Sequence, residues 1–110
     1  ACHCSECQKR SGSAFGLTMV VNRKNFTITG QVSRYVRAAD SGQTNTSYFC
    51  PNCGNPIYGE VERLPEIVAI RPGTLDDTSW FKPERHIWTD SAQSWFEFPE
   101  GCEALPKGRW

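Results

Sequence analysis

Residues 46–61 read TSYFCPNCGNPIYGEV, so that two segments with strand character flank a Cys-x-x-Cys pair. Segment 46–49 leads into the first cysteine and segment 57–61 leads away from the second. Both contain the β-branched and aromatic residues that are enriched in strands. Gly54 directly follows the second cysteine, at a place where such a turn often needs a positive φ. The stretch therefore predicts two strands joined by a cysteine-bearing turn, residues 50–54, which we call the knuckle.

Further strand-like segments lie on both sides of this stretch and are separated by turn residues. Val, Ile and Thr together supply 19 residues and Leu only four, which favours strands over helices. No long window shows a sustained 3.6-residue apolar period, and the best helix candidate is a short turn over residues 5–10. We predict an all-β chain built from antiparallel sheets. The predicted strands are 17–21, 26–29, 32–37, 46–49, 57–61, 67–70, 87–89 and 95–98.

The composition narrows the classes of function. At 110 residues the chain has room for one domain and one core, so we expect a single domain over residues 1–110. Lys and Arg number 12, as do Asp and Glu, which argues against nucleic acid as a partner. The longest apolar runs are far too short to span a membrane. No signal peptide is visible, and we expect a cytoplasmic location, while the oligomeric state stays open.

The cysteines indicate a metal site. Five of the six lie in two tight clusters, namely Cys2, Cys4 and Cys7 in the first and Cys50 and Cys53 in the second. Cysteines as close as Cys2 and Cys4 are poorly placed for a strain-free disulfide with each other. Clustered thiols in a cytosolic chain are typical of metal ligands, and zinc is the metal that thiolates hold in such sites. Cys102 stands apart, and we interpret it as a spare, partly buried thiol.

Two ligand assignments are compatible with the spacing. In the first, Cys4, Cys7, Cys50 and Cys53 complete one tetrahedral zinc site and leave Cys2 over. In the second, Cys2, Cys4 and Cys7 hold one zinc whose fourth position is open to an exchangeable ligand. Three protein ligands and one open position are the pattern of a catalytic zinc. The spacing alone does not decide between the two.

Six segments carry a resemblance to a known family. They are CHCSECQKR at 2–10, SGSAFG at 11–16, FCPNCG at 49–54, GTLDD at 73–77, HIW at 86–88 and WF at 95–96. In this order they resemble the glutathione-dependent formaldehyde-activating enzyme family, which also includes centromere protein V. The resemblance covers about the whole chain. It implies a zinc-bound fold like that of the methionine-R-sulfoxide reductases, a pair of packed antiparallel sheets.

The resemblance also implies two zinc ions and a reaction. The cluster of Cys2, Cys4 and Cys7 matches the family's catalytic zinc site. Cys50 and Cys53 match half of a structural site, whose other half is an earlier Cys-x-Cys pair that this sequence does not contain, so we expect further N-terminal strands upstream. The implied activity is that of a carbon–sulfur lyase resembling S-(hydroxymethyl)glutathione synthase, which condenses glutathione with formaldehyde or acts on a related thiol adduct. The alternative is a non-catalytic zinc domain that serves as a protein-binding module.

Candidate substrate-binding residues follow the first cysteine cluster directly. Glutathione carries two carboxylates, so its site needs cations. Lys9 and Arg10 lie two and three residues after Cys7. The alternative is that both are solvated surface charges. His86 could donate a proton to a substrate, but we interpret it as a structural histidine packed beside Trp88.

Two other groups of residues have simpler interpretations. Thr74, Asp76 and Asp77 are predicted to form a turn or a cap rather than an acid–base pair. Trp80, Trp88 and Trp95 are predicted to belong to the core or to the wall of a pocket.

Overall fold

The computed structural model describes residues 1–108. Its chain divides into two compact units. The first consists of residues 1–18 and the described part of 77–110, and the second is Met19–Asp76. The single-domain organisation expected from the length stays a prediction, and each unit is described by itself.

The second unit is one five-stranded antiparallel sheet. Its strand order is β1-β5-β4-β3-β2, so that the first two strands along the chain form the two edges. The strands are β1 Met19–Asn22, β2 Ser33–Ala38, β3 Thr44–Phe49, β4 Pro56–Val61 and β5 Ile67–Ile70.

Aromatic residues mark one face of this sheet. Tyr48 of β3 pairs with Tyr58 of β4, and their rings stack at 4.4 Å. Phe26 packs on Tyr58 with ring centroids 4.9 Å apart. Val68 of β5 is fully buried, as the apolar run around it predicts. Central strands thus supply the core, while Val36 of edge strand β2 stays 47% exposed.

Five of the predicted strands are confirmed to within two residues, and the one predicted at 17–21 begins at Met19. The strand predicted at 26–29 is wrong, because no strand forms there. This segment belongs to the connection from edge strand β1 to the opposite edge strand β2. It uses Phe26 to cover Tyr58 and leaves Ile28 43% exposed, so its alternating pattern marks a packed connection rather than a strand.

The first unit contains helix α1, Ser5–Ser11, and two short strands, β6 Arg85–His86 and β7 Glu103–Ala104. The helix is confirmed. The two strands pair in parallel, so the prediction of antiparallel sheets throughout is wrong for this pair.

Two predicted strands of this unit are also wrong. Segment 87–89 does not continue β6, because Trp88 adopts a left-handed conformation (φ 57°, ψ 42°) and a 3-10 turn, Thr89–Ser91, follows. Segment 95–98 is irregular. Its rings at Phe96 and Phe98 pack around a buried histidine instead of lying in a sheet.

Two of the three tryptophans predicted to line the core or a pocket are on the surface, whereas Trp88 is half-buried. Trp80 is 61% exposed and Trp95 is 67% exposed. The neighbouring Phe96 takes the inward position that Trp95 was expected to occupy, since its ring packs against those of His3, Phe15 and Phe98.

The fold class is mostly β, with an antiparallel sheet and few helices, as predicted. The closer likeness to methionine-R-sulfoxide reductases stays a prediction. None of the helices in the described part of the chain has the length and hydropathy that a bilayer span requires.

Candidate metal centre

The first two cysteines lie on an extended segment that is paired on both sides. The Cys2 amide donates to the Gly16 carbonyl at 2.8 Å, and the Gly16 amide donates back to the Cys2 carbonyl at 2.9 Å. On the other side, the His3 amide donates to the carbonyl of Ile87 at 3.0 Å. The backbone that carries Cys2 and Cys4 is therefore held from two directions.

Because side chains alternate along extended backbone, His3 points away from the two cysteines that flank it. It is fully buried among aromatic rings. Its ring centroid lies 5.0 to 5.3 Å from those of four neighbours, namely Phe15, His86, Phe96 and Phe98. The hydrophobic side of this segment thus anchors it and leaves the cysteine side for ligands.

His3 and His86 form a buried pair, with 2.9 Å between His3 Nε2 and His86 Nδ1. Burial lowers the pKa of both imidazoles, so both are neutral at pH 7. His3 Nδ1 is buried and has no hydrogen-bond partner among residues 1–108. We assign the proton of the pair to His3 Nε2, because the opposite tautomer would bury an N–H group without an acceptor.

The third cysteine enters through helix α1. Cys4 is its N-cap residue, with an extended backbone (φ −64°, ψ 155°), and its Sγ accepts a hydrogen bond from the Cys7 amide at 3.4 Å. A capping side chain and the N3 residue of a helix are neighbours, so the Cys-x-x-Cys spacing brings both sulfurs together. Cys7 is 7% exposed.

The structure brings Cys2, Cys4 and Cys7 into one group whose Sγ atoms all lie within 4.8 Å of one another. Tetrahedral zinc with Zn–S bonds of about 2.3 Å separates two sulfurs by about 3.8 Å, which these spacings accommodate. All six cysteines of the chain are free thiols. Three soft sulfur donors on rigid supports therefore fit a zinc ion, and no fourth donor joins the group in the described residues 1–108.

The three sulfurs interact strongly with one another. Hydrogen bonding with Cys2, then with Cys7, lowers the pKa of the Cys4 thiol. The bond with Cys4 is also the chief cause that raises the pKa of Cys2. The pKa of Cys7 is raised overall. The hydrogen bond with Cys2 and the charge of Arg10 lower this pKa, but the hydrogen bond with Cys4 and burial outweigh them. Hydrogen bonds among the three sulfurs thus favour a thiolate within the cluster, which suits it to bind a cation.

The two predicted substrate-binding cations have different surroundings, although both lie in the last turn of α1. Arg10 is half-buried, and its Nη2 donates a hydrogen bond to Cys7 Sγ at 3.3 Å. Residues three apart on a helix are surface neighbours, which explains the contact. Lys9 is exposed.

Sequence reasoning missed two residues that support the cluster. A Cβ atom added to Gly16 would lie 3.3 Å from Cys7 Cβ and 3.8 Å from Cys7 Sγ, so Gly16 is packed tightly against the cysteine. Gln8 donates through Nε2 to the carbonyls of His3 at 2.7 Å and Ser91 at 2.9 Å. Both lie within the family-like segments, but nothing in one sequence distinguishes a packing glycine or a clamping amide from its neighbours.

The second cysteine pair lies in the other unit, on the knuckle. The Gly54 amide donates to the Cys50 carbonyl at 2.8 Å, and Gly54 has the predicted positive φ, 78°. The backbone amide of Cys53 is the chief cause that lowers the pKa of Cys50. Cys53 is exposed. The pair offers two donors, whereas the only group of three or more potential ligands found among residues 1–108 is that of the first cluster.

The remaining candidates have structural roles. His86 is 2% exposed and bonded to His3, as a structural histidine would be. Thr74 lies in a 3-10 turn, and Asp77 accepts hydrogen bonds from the amide and hydroxyl of Ser79, which confirms the turn and cap predicted for them. Cys102 is half-buried and lies outside the cluster.

Comparison with known proteins identifies relatives over most of the chain. Residues 1–91 match the family model described as glutathione-dependent formaldehyde-activating enzyme. A protein of Penicillium rubens, provisionally named as such an enzyme, is 36% identical over 87 residues, covering 76% of this chain and 45% of the relative. Similarly named proteins of Emericella nidulans and Colletotrichum graminicola are 34% identical over 62 residues and 23% identical over 108 residues. The chain spans 31% and 56% of their lengths, so it corresponds to about half or less of these relatives.

Proposed function

Because the chain belongs to the glutathione-dependent formaldehyde-activating enzyme family, we propose that it is a zinc-dependent carbon–sulfur lyase that joins glutathione to formaldehyde. The observation that supports this most is the cluster of Cys2, Cys4 and Cys7, which unites three thiols without a fourth donor from residues 1–108. Three protein ligands and an exchangeable position are typical of catalytic zinc. Clustered thiols suit a reducing compartment, and we place the reaction in the cytoplasm.

A zinc ion held by the three cysteines would keep an incoming thiol ionised at neutral pH, where a free thiol is mostly protonated. In the proposed reaction the thiolate sulfur of glutathione adds to the carbonyl carbon of formaldehyde. A carbon–sulfur bond forms, the carbon–oxygen double bond becomes single, and the resulting alkoxide takes one proton to give S-(hydroxymethyl)glutathione. The chain's part is to hold and orient the thiol and to compensate its charge.

Lys9 and Arg10 are the cations that we propose for binding the glutathione carboxylates. Both lie within one turn of Cys7, and three thiolates on a divalent ion leave a net charge of −1 that repels an anionic substrate. Two nearby positive charges would offset this repulsion. The hydrogen bond of Arg10 to Cys7 Sγ occupies one of its five N–H groups.

For Cys50 and Cys53 we propose a separate, structural zinc. The knuckle geometry supports this, since its two thiols follow the Cys-x-x-Cys-Gly pattern of zinc-binding turns. The remaining ligands would come from donors outside residues 1–110, as the family pattern implies.

Isotope-exchange NMR tests the proposed activity directly. The zinc-loaded protein is mixed with ¹³C-formaldehyde and glutathione at equilibrium, and the exchange rate between free and thiol-bound formaldehyde is measured. We expect faster exchange than without protein, loss of the effect in Cys4→Ser, and retention in Cys102→Ser, which removes a thiol outside the cluster. If zinc-loaded protein neither speeds the exchange nor binds a thiol, the activity is refuted and the protein-binding zinc module is favoured.

A further inference from the structure

Arg10 contacts Cys7 through a hydrogen bond that its guanidinium donates to the cysteine sulfur. Arg10 Nη2 lies 3.3 Å from Cys7 Sγ, a close distance for an N–H···S hydrogen bond. Arg10 is half-buried and Cys7 is 7% exposed, so water screens the pair less than it would screen a surface contact.

A cation hydrogen-bonded to a ligand sulfur changes the metal centre through that sulfur. It withdraws electron density from the thiolate, which then donates less charge to the metal. Hydrogen bonds to ligand sulfurs tune thiolate-ligated metal centres in this way.

The geometry fixes which cysteine is affected. Cys7 and Arg10 lie three residues apart on the same helix, and the C-cap Gly12 closes the helix with hydrogen bonds to the carbonyls of Gln8 and Lys9. A Cβ atom added to Gly16 would lie 3.3 Å from Cys7 Cβ, so the backbone of Gly16 packs closely against Cys7. Cys7 therefore contacts a close-packed backbone as well as the Arg10 cation.

We propose that Arg10 is a positioning residue that acts through Cys7 Sγ, offsets the charge of the three-thiolate centre, and thereby sets its affinity for a thiolate as the fourth ligand. This goes beyond the proposed function, in which Arg10 contacts the carboxylates of glutathione. The role of Arg10 at Cys7 rests on the proposed function in one respect, namely that Cys2, Cys4 and Cys7 hold a metal ion. The two roles predict different responses to thiols that carry no carboxylate.

Cobalt(II) in place of zinc gives a spectroscopic test that needs no turnover. The sulfur-to-cobalt charge-transfer band is recorded for the unaltered protein, Arg10→Met, Arg10→Lys and Lys9→Met. Lys9→Met is the matched control, because it removes the same charge from the same helical turn but from an exposed side chain. We expect the band to move to longer wavelength in Arg10→Met, by less in Arg10→Lys, and not at all in Lys9→Met, because only Arg10 reaches the sulfur.

Titration with 2-mercaptoethanol separates the two roles of Arg10. This thiol has no carboxylate, so a residue that only binds the substrate's carboxylates does not affect it. We expect Arg10→Met to weaken mercaptoethanol binding about tenfold, the effect of losing one charge-assisted hydrogen bond, and Lys9→Met to leave it unchanged.

Each outcome decides the proposal. An unshifted band in Arg10→Met, or an equal shift in Lys9→Met, overturns it, as does mercaptoethanol binding that Arg10→Met does not change. If Arg10→Met does not fold by far-UV circular dichroism, Arg10→Lys and Arg10→Gln carry the test. We then expect Gln, which loses the charge, to shift the band further than Lys, and the reverse order refutes the proposal. Absence of formaldehyde chemistry would refute the proposed function but leave the band shift in place.

Discussion

His3 Nε2 and His86 Nδ1 lie 2.9 Å apart, and the two imidazoles are 0% and 2% exposed. The contact links His3, which lies between the metal-ligand candidates Cys2 and Cys4, to His86 of strand β6, 83 residues later in the chain. Because Cys2 and Cys4 flank His3 on extended backbone, a shift of the His3 backbone would displace both cysteines. The histidine pair thus links the core of the first unit to the geometry of the cysteine cluster.

Replacing His86 by Phe should destabilise the protein by about 1–3 kcal/mol, because it leaves the buried His3 Nε2 without a partner. Urea unfolding at a fixed free zinc concentration measures this, since bound metal contributes to stability. The matched variant is His3→Phe with His86→Phe, which replaces both partners by rings of similar shape. We expect the double variant to lose less free energy of unfolding than the His3→Phe and His86→Phe single variants lose in sum. Strictly additive losses would contradict a coupled pair.

Gly16→Ala should weaken zinc binding. Its new Cβ would lie 3.3 Å from Cys7 Cβ, so the cysteine has to shift by a few tenths of an ångström. Overpacking of this kind typically costs about 1–3 kcal/mol. Competition with a chromophoric chelator measures the zinc affinity. Gly73→Ala is the control, because a Cβ there meets nothing within 4 Å, and an equal loss of affinity in both variants would exclude crowding of Cys7 as the cause.

The five-stranded sheet should become less stable at acid pH, because protonation of Glu60 weakens its contacts. Burial raises the pKa of this carboxyl, but hydrogen bonds from Tyr48 and Arg23 outweigh burial and lower it below 4.5. A folded-state pKa below the unfolded value means that the stabilisation is present above pH 4.5 and is lost as the pH falls through the folded-state pKa. Glu60→Gln should therefore be less stable than the unaltered protein at pH 7 and lose less stability on acidification.

Thermal unfolding between neutral and acid pH measures the effect of Glu60. The exposed Glu66 supplies the control, because Glu66→Gln removes the same charge from the same unit. If Glu66→Gln reduces the acid sensitivity as much as Glu60→Gln does, general charge rather than the contacts of Tyr48 and Arg23 with Glu60 is responsible.

Much of the sheet was predictable, because its strands combine β-branched residues with clear turns. Strand β5, Ile67–Ile70, coincides with the predicted segment, since a short apolar run bounded by turn residues has few alternatives as a buried strand. Segment 26–29 alternates apolar and polar residues, a pattern that also predicts a strand, but no strand forms there. Whether this segment forms a strand depends on the strand order, which places β1 and β2 at opposite edges of the sheet. A short sequence window does not determine pairing between distant segments.

The cysteine cluster was predictable from spacing, whereas its support was not. An N-cap Cys4 followed by Cys7 at the third helical position brings two sulfurs together by local geometry alone. His3 and His86 meet only because the chain folds back over 83 residues. The exposure of Trp95 has a similar origin, because Phe96 beside it is the residue that reaches the buried ring of His3.

Cys2→Ser decides between the two ligand assignments that the spacing allows. If Cys2, Cys4 and Cys7 hold the metal, the variant keeps two thiolates at the site, and zinc affinity should fall about 100-fold, since apparent zinc-binding energies of about 10–16 kcal/mol are shared among few ligands. If Cys4, Cys7, Cys50 and Cys53 hold it instead, zinc content stays unchanged. Native mass spectrometry, which counts bound metal in the folded protein, distinguishes these outcomes.

Cys50→Ser is the reciprocal variant and Cys102→Ser the control for losing any thiol. We expect the zinc at the first cluster to survive both, because the three Sγ atoms within 4.8 Å of one another belong to Cys2, Cys4 and Cys7. Far-UV circular dichroism checks that each variant is folded before its metal is counted. Undiminished zinc in Cys2→Ser, together with its loss in Cys50→Ser, would defeat the three-cysteine site. With that site, the open position for a thiol would also be lost, because four cysteines close a tetrahedral zinc.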